Sequence, residues 1–181
     1  MKAYHFTSNT LRDGRPIPCI GEKLVHVGLI IPSESGLHAS EHPFDALQYA
    51  PGNLLHLVEL DGELVSHGNP VDKWVGRSRV IVKSINAESL MRRFAKDQAL
   101  SVIHLWDAPQ VVIDYLNSNS DAARAAAWAA ARAAWDAALD APWVAARAAA
   151  LDAARDSARD SARDSARAEF KKRVDEAFNL Q

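Results

Sequence analysis

An α+β fold with a long helical tail follows from three observations. The first 86 residues hold the β-branched, alternating segments and turn dipeptides that antiparallel strands need. Near residue 119 the composition changes: all seven histidines lie before it, and 25 of the 63 residues after it are alanine, the residue of highest helix propensity. Within that stretch Ala-Arg-Asp-Ser occurs three times in succession, from Ala154 to Ser165. The chain is therefore expected to divide into a sheet domain over 1–86, connecting helices over 87–118 and an alanine-rich helical region over 119–181.

Lys2 to Phe6 alternates and carries two aromatics, as a first strand does, and Asp13-Gly14 with Pro16 and Pro18 marks a turn. Lys23 to Ile31 is rich in β-branched residues and ends at Pro32, which predicts a second strand. After the turn at Ser33 to Gly36 comes a short extended piece, Leu37 to Ser40. Pro43 then opens a brief helix that runs to Tyr49 and stops at Pro51-Gly52. Leu54 to Leu60 and Glu63 to Ser66 read as a hairpin, because Asp61-Gly62 supplies the positive φ values of a type I′ turn. Arg79 to Ile85 is one more strand. Helices are predicted over 87–106, capped by Asn86, and over 108–117, 121–140 and 142–178. The two Asp-Ala-Pro steps, at Asp107 and Asp140, each close one helix and open the next. An unbroken last helix would be about 55 Å long.

Trp128 and Trp135 stand seven apart with Leu139 beside them, and Phe170, Val174 and Phe178 recur every four residues. Both stripes need a partner surface, either the sheet domain or a second copy. Self-association is the favoured expectation, with these six residues as its contacts. In the repeat tract Asp156 with Arg159 and Asp160 with Arg163 can pair at three-residue spacing, whereas Arg155 with Arg159 and Asp156 with Asp160 repel at four. Propensity rather than charge must hold that helix.

Charge excludes some partners. The first 118 residues carry 11 Lys/Arg against 13 Asp/Glu and the remainder 10 against 10, so neither part has the basic excess that duplex nucleic acid requires. A local patch of Arg12, Arg15, Lys73, Arg77 and Arg79 can still hold one small anion. Cys19 is the only cysteine, which rules out an intramolecular disulfide and any multi-cysteine metal site, and reads as a structural residue in a reducing compartment. No run of 18 apolar residues exists, and the opening Met1 to Phe6 lacks the apolar core of a signal peptide, so neither membrane nor export is expected. His38, Ser40, Glu41 and His42 come closest to a metal set, but Gly36 and Pro43 make that segment extended or turned and no metal is expected. No Gly-rich phosphate loop and no Gly-x-Ser-x-Gly elbow is present, so no cofactor is expected.

Two resemblances bear on function. Tyr4-His5-Phe6-Thr7, Gly36 to Ser40, Tyr49 and Glu59 resemble elements of ADP-ribosyltransferases; that resemblance implies His5 on the nicotinamide nucleotide, Tyr49 stacked on the nicotinamide and Glu59 acting on the acceptor. Most of the first 85 residues resemble an uncharacterised family of bacteriophage and prophage proteins. The matching elements are Met1-Lys2-Ala3-Tyr4, the Gly-Leu-His-Ala element at Gly36, Pro43 with Asp45, Ala46, Leu47 and Tyr49, Val58-Glu59 with Gly62, and Asp72-Lys73. The resemblance implies a phage accessory protein acting in the host bacterial cytoplasm. The leading expectation is a non-catalytic oligomer that sequesters a nucleotide immune signal of the host. Its ligand-binding residues would be His5, Arg12, Arg15, His38, Ser40, Tyr49, Lys73, Trp74 and Arg77, a set suited to an anion with an aromatic base. A helix-borne inhibitor of a host defence protein and an ADP-ribosyltransferase-like enzyme are the alternatives.

Overall fold

The computed structural model describes residues 1–105, 108–118, 126, 129, 130 and 162–180. In chain order it holds β1 (Lys2–Thr7), β2 (Lys23–Val25), β3 (Leu37–Ala39), α1 (Pro43–Leu47), β4 (Leu54–His67), β5 (Lys73–Asn86), α2 (Glu88–Ser101) and α3 (Gln110–Asn117). A further helix, α4, covers 162–178. The five strands form one antiparallel sheet in the order β1-β4-β5-β2, with β3 also paired to β5. The class is α+β, as the sequence predicts.

The chain forms two compact units. One is Met1–Leu90 together with Arg167–Gln181, and the other is Met91–Ala166. The end of the tail thus belongs with the sheet rather than with the alanine-rich region. Within the second unit Phe94 and Val112 are buried and Lys96 lies over the Tyr115 ring while donating to the Ser118 carbonyl.

The hairpin is longer than its sequence signal suggests. β4 runs through Asp61-Gly62 without turning, and the register slips there between Asp61 and Leu64. Gly62, at φ +80°, serves a bulge, which needs the same left-handed residue as a type I′ turn. The chain reverses six residues later, at Gly68 (φ +93°), where Asp72 N–H donates to the His67 carbonyl at 3.1 Å. β2 stops at Val25, so Val27 and Leu29 are exposed rather than part of a strand. At the end of β5, Asn86 Oδ1 accepts from Glu88 N–H at 2.9 Å, the cap expected of it.

Pleating sends alternate residues to opposite faces of the sheet. Tyr4 and Phe6 of β1 share one face with their β4 partners Leu57 and Leu55, all buried. α1 and α4 cover this face. The Tyr4 ring lies 6.5 Å from that of Phe178, its hydroxyl donates to Asp175 Oδ1, and Phe44 meets Phe170 edge-on at 6.1 Å. Phe170, Val174 and Phe178 are 0, 0 and 3 % exposed. The stripe expected to pack on the first domain or on a second copy is covered here by the chain's own sheet domain. Arg167 adds a two-pronged ion pair to the buried Asp45, and Lys83 donates to the Phe178 carbonyl at 2.8 Å. α4 ends where Asn179 takes a φ of 52° and Leu180 N–H returns to the Asp175 carbonyl. Trp128, Trp135 and Leu139 lie outside the described residues, as does most of the predicted helix 121–140 and the first part of 142–178.

On the opposite face Ala3, Ala39, Val58, Leu60 and Ile81 form an apolar cluster, with Ile17, Leu37 and Trp74 packed against it. Beside this cluster, along the same face, the side chains turn polar and the surface opens into a cleft.

Candidate ligand cleft

Strand alternation places His5 and Thr7 of β1 on the face away from α4, and their neighbours continue the polar patch. The His5 and His56 rings stack at 6.5 Å, and His56, 2 % exposed, bridges Thr7 Oγ1 at 2.8 Å and Ser84 Oγ at 2.6 Å. Arg79, from β5, is 5 % exposed and lines the same cleft. One guanidinium nitrogen donates to the His38 carbonyl at 2.7 Å, Nε has no partner, and Arg79 has no carboxylate partner among the described residues. Burial lowers its pKa to about 10. A cation without a counter-charge inside a protein is costly unless something anionic joins it.

The cavity is about 870 Å³, a size that takes a small organic ligand. His5, Thr7, His38, Ser40 and Arg79 lie along its sheet side; the segments holding Arg12, Arg15 and Ser33 bound it, with Ala46, Tyr49 and Lys73. Lys73 is itself buried, donates from Nζ to Ser33 Oγ at 3.0 Å and sits 4.3 Å from the centre of the Tyr49 ring. Arg15 is engaged by Asp13 at 2.7 Å. Tyr49 donates its hydroxyl to Asp72 at 2.6 Å, which raises the tyrosine to about 12. Burial works to raise Asp72, but the hydrogen bond from Tyr49 and the nearby His67 imidazole outweigh it and hold the carboxyl below its ordinary value.

His5, His38 and His56 are held in the neutral form at pH 7. Burial, then the Arg79 charge, puts His5 well below 6.5; burial, then Lys73 and Arg79, puts His38 at about 4; burial, then Arg79, does the same to His56. Positive charge in the cleft therefore comes from Arg79, Lys73 and the rim arginines. The imidazoles add neutral hydrogen-bonding groups.

Of the nine residues expected to bind ligand, His5, Arg12, Arg15, His38, Ser40, Tyr49 and Lys73 line this one cavity. Trp74 and Arg77 do not. Trp74 packs against the apolar cluster, and Arg77 pairs with Glu63 and the Gly28 carbonyl. Glu59 is exposed and outside the cavity, so the trio required by the ADP-ribosyltransferase resemblance does not face one space. No group of three or more His, Cys, Asp or Glu able to hold a metal exists among the described residues. No helix among them is long and apolar enough to cross a membrane. In the sequence Arg79 stands out only as one charge of a basic patch. The sequence sign of its unusual setting is an arginine inside the apolar strand Arg79-Val80-Ile81-Val82, but only the fold shows that no acid among the described residues meets it.

The model of a family described as a domain of unknown function (DUF7666) matches residues 1–93, which span the whole sheet and the first residues of α2. No curated protein and no solved structure matches the sequence.

Proposed function

We propose, from the premise that this chain belongs to the DUF7666 family, that its sheet domain captures a small anionic ligand carrying an aromatic base, a nucleotide, in the cleft. One observation carries the reading: Arg79 is buried in the cleft wall with an unpartnered Nε and no carboxylate beside it. A phosphate there replaces the missing counter-charge and takes charge-assisted hydrogen bonds from a fixed donor. Lys73 and Arg12 extend the positive wall, and the half-exposed Tyr49 ring offers a surface for the base. In the phage setting that the resemblance implies, capture of this kind would withdraw a nucleotide signal from host defence. Assembly through Phe170, Val174 and Phe178 forms no part of this reading, because those residues are buried within one chain.

Calorimetric titration of the full chain with AMP, cyclic AMP and their dinucleotide counterparts tests it. Saturable binding of at least one, with the ligand recovered chemically intact, is expected. Absence of binding across the series contradicts the proposal.

A further inference from the structure

Ser33, in the cleft wall, joins His67 and Asp72 behind it in a cluster that ligand capture does not require. Ser33 has a φ of 71°, a left-handed conformation unusual for a residue with a side chain, and its N–H donates to His38 Nε2 at 3.1 Å. Its Oγ accepts from Lys73 Nζ at 3.0 Å and lies 3.4 Å from Nε2 of His67. On the far side of that ring, Nδ1 lies 3.5 Å from Asp72 Oδ1, and neither of these two buried atoms has a hydrogen bond of its own. The other carboxylate oxygen, Oδ2, accepts from Tyr49 at 2.6 Å and from Gln48 at 3.1 Å, so Asp72 is fixed from behind. A hydroxyl, an imidazole and a carboxylate thus stand in series, with the hydroxyl on a strained residue in the cleft wall.

Such a series is recognised by geometry and roles, not by chain order, and distances of this length tighten when substrate enters. We propose that Ser33, His67 and Asp72 form an acyl-transfer centre that hydrolyses esters of anionic, nucleotide-sized molecules. The anionic half of that substrate class rests on the capture reading, with Arg79 as its anchor; the acyl chemistry rests on Ser33 and its neighbours alone. In the first step a bond forms between Ser33 Oγ and the ester carbonyl carbon while the Oγ proton passes to His67 Nε2. Asp72 holds the Nδ1–H side of the ring, and the Lys73 ammonium faces the oxyanion. The carbon–oxygen bond to the leaving alcohol then breaks, and His67 returns the proton to that oxygen. Water, deprotonated by the same imidazole, releases the acid and restores the Ser33 hydroxyl. Each step is redox-neutral and needs no co-reactant beyond water.

A fluorophosphonate probe tests this without knowledge of the substrate, because Ser33 Oγ would bond to phosphorus and expel fluoride. Full-length protein is expected to gain one label, mapped to Ser33 by peptide mass, with none in Ser33→Gly, a variant that suits the left-handed backbone. His67→Ala should label on the order of 100-fold more slowly, and Ser101→Ala, on α2 and outside the cleft lining, at the normal rate. Circular dichroism checks that each variant is folded. No label on Ser33, or undiminished labelling in folded His67→Ala, overturns the proposal. AMP should slow labelling by filling the cleft; if Ser33 labels but AMP has no effect, the capture reading fails and the acyl centre stands.

Discussion

Arg79 and the histidines around it place opposite demands on stability and function. A buried guanidinium held by a single carbonyl bond weakens the fold, and replacing such a cation by an apolar side chain of similar length relieves that penalty. Arg79→Met should therefore be as stable as the parent or about 1 kcal/mol more stable in urea denaturation, while losing about 10-fold or more in affinity for a phosphate-bearing ligand. A loss of stability would show that the residue serves structure instead. The histidines give a pH signature. His38 and His56 are near 4 when folded against 6.5 when free, so the unfolded chain binds more protons between those values. Stability is fully present above about pH 6.5 and falls as pH drops toward 4, by on the order of 1–3 kcal/mol for the buried His56. Thermal unfolding at pH 7, 5.5 and 4.5 should show this decline, and His56→Gln should flatten it. The histidines and basic residues were visible in the sequence as candidates, yet their neutrality and the isolation of Arg79 were not, because both depend on which strands lie side by side.

At the scale of the element, α4 shows what periodicity can and cannot say. Spacing of four among Phe170, Val174 and Phe178 requires an apolar face to be covered, and covered it is. Nothing in that spacing distinguishes a second copy from the chain's own sheet; the partner is fixed by Tyr4, Phe44 and Asp45, more than 120 residues away. Phe170→Ala should destabilise the protein by about 3 kcal/mol, and Arg167→Ala by about 2–3 kcal/mol through the buried Asp45 left unpaired. Chemical denaturation reads both, and a change below about 0.5 kcal/mol for Phe170→Ala would mean that α4 does not pack here. Asp61-Gly62 carries the same lesson for strands. A left-handed glycine is demanded by a turn and by a bulge alike, and only the pairing of β4 with β5 over their full length decides between them.

For the whole molecule, the family boundary and the folding unit do not coincide. Residues 1–93 supply the sheet and cleft, but the Tyr4, Phe6, Leu55 and Leu57 face is covered in part by residues 167–180. A 1–93 fragment should therefore aggregate or unfold, and a peptide of residues 162–180 added in trans should restore its ordered spectrum; a well-folded monomeric fragment without the peptide would contradict this. Deleting 119–181 consequently removes part of the core along with the tail. The cleft itself is tested most directly by calorimetric titration of full-length protein, Arg79→Met and Arg77→Met with AMP and the related nucleotides. Arg77 lies on the same strand but outside the cavity, engaged by Glu63. The account predicts saturable binding by the parent and by Arg77→Met, and its loss in a folded Arg79→Met. Equal binding by all three, or none by the parent, would contradict it.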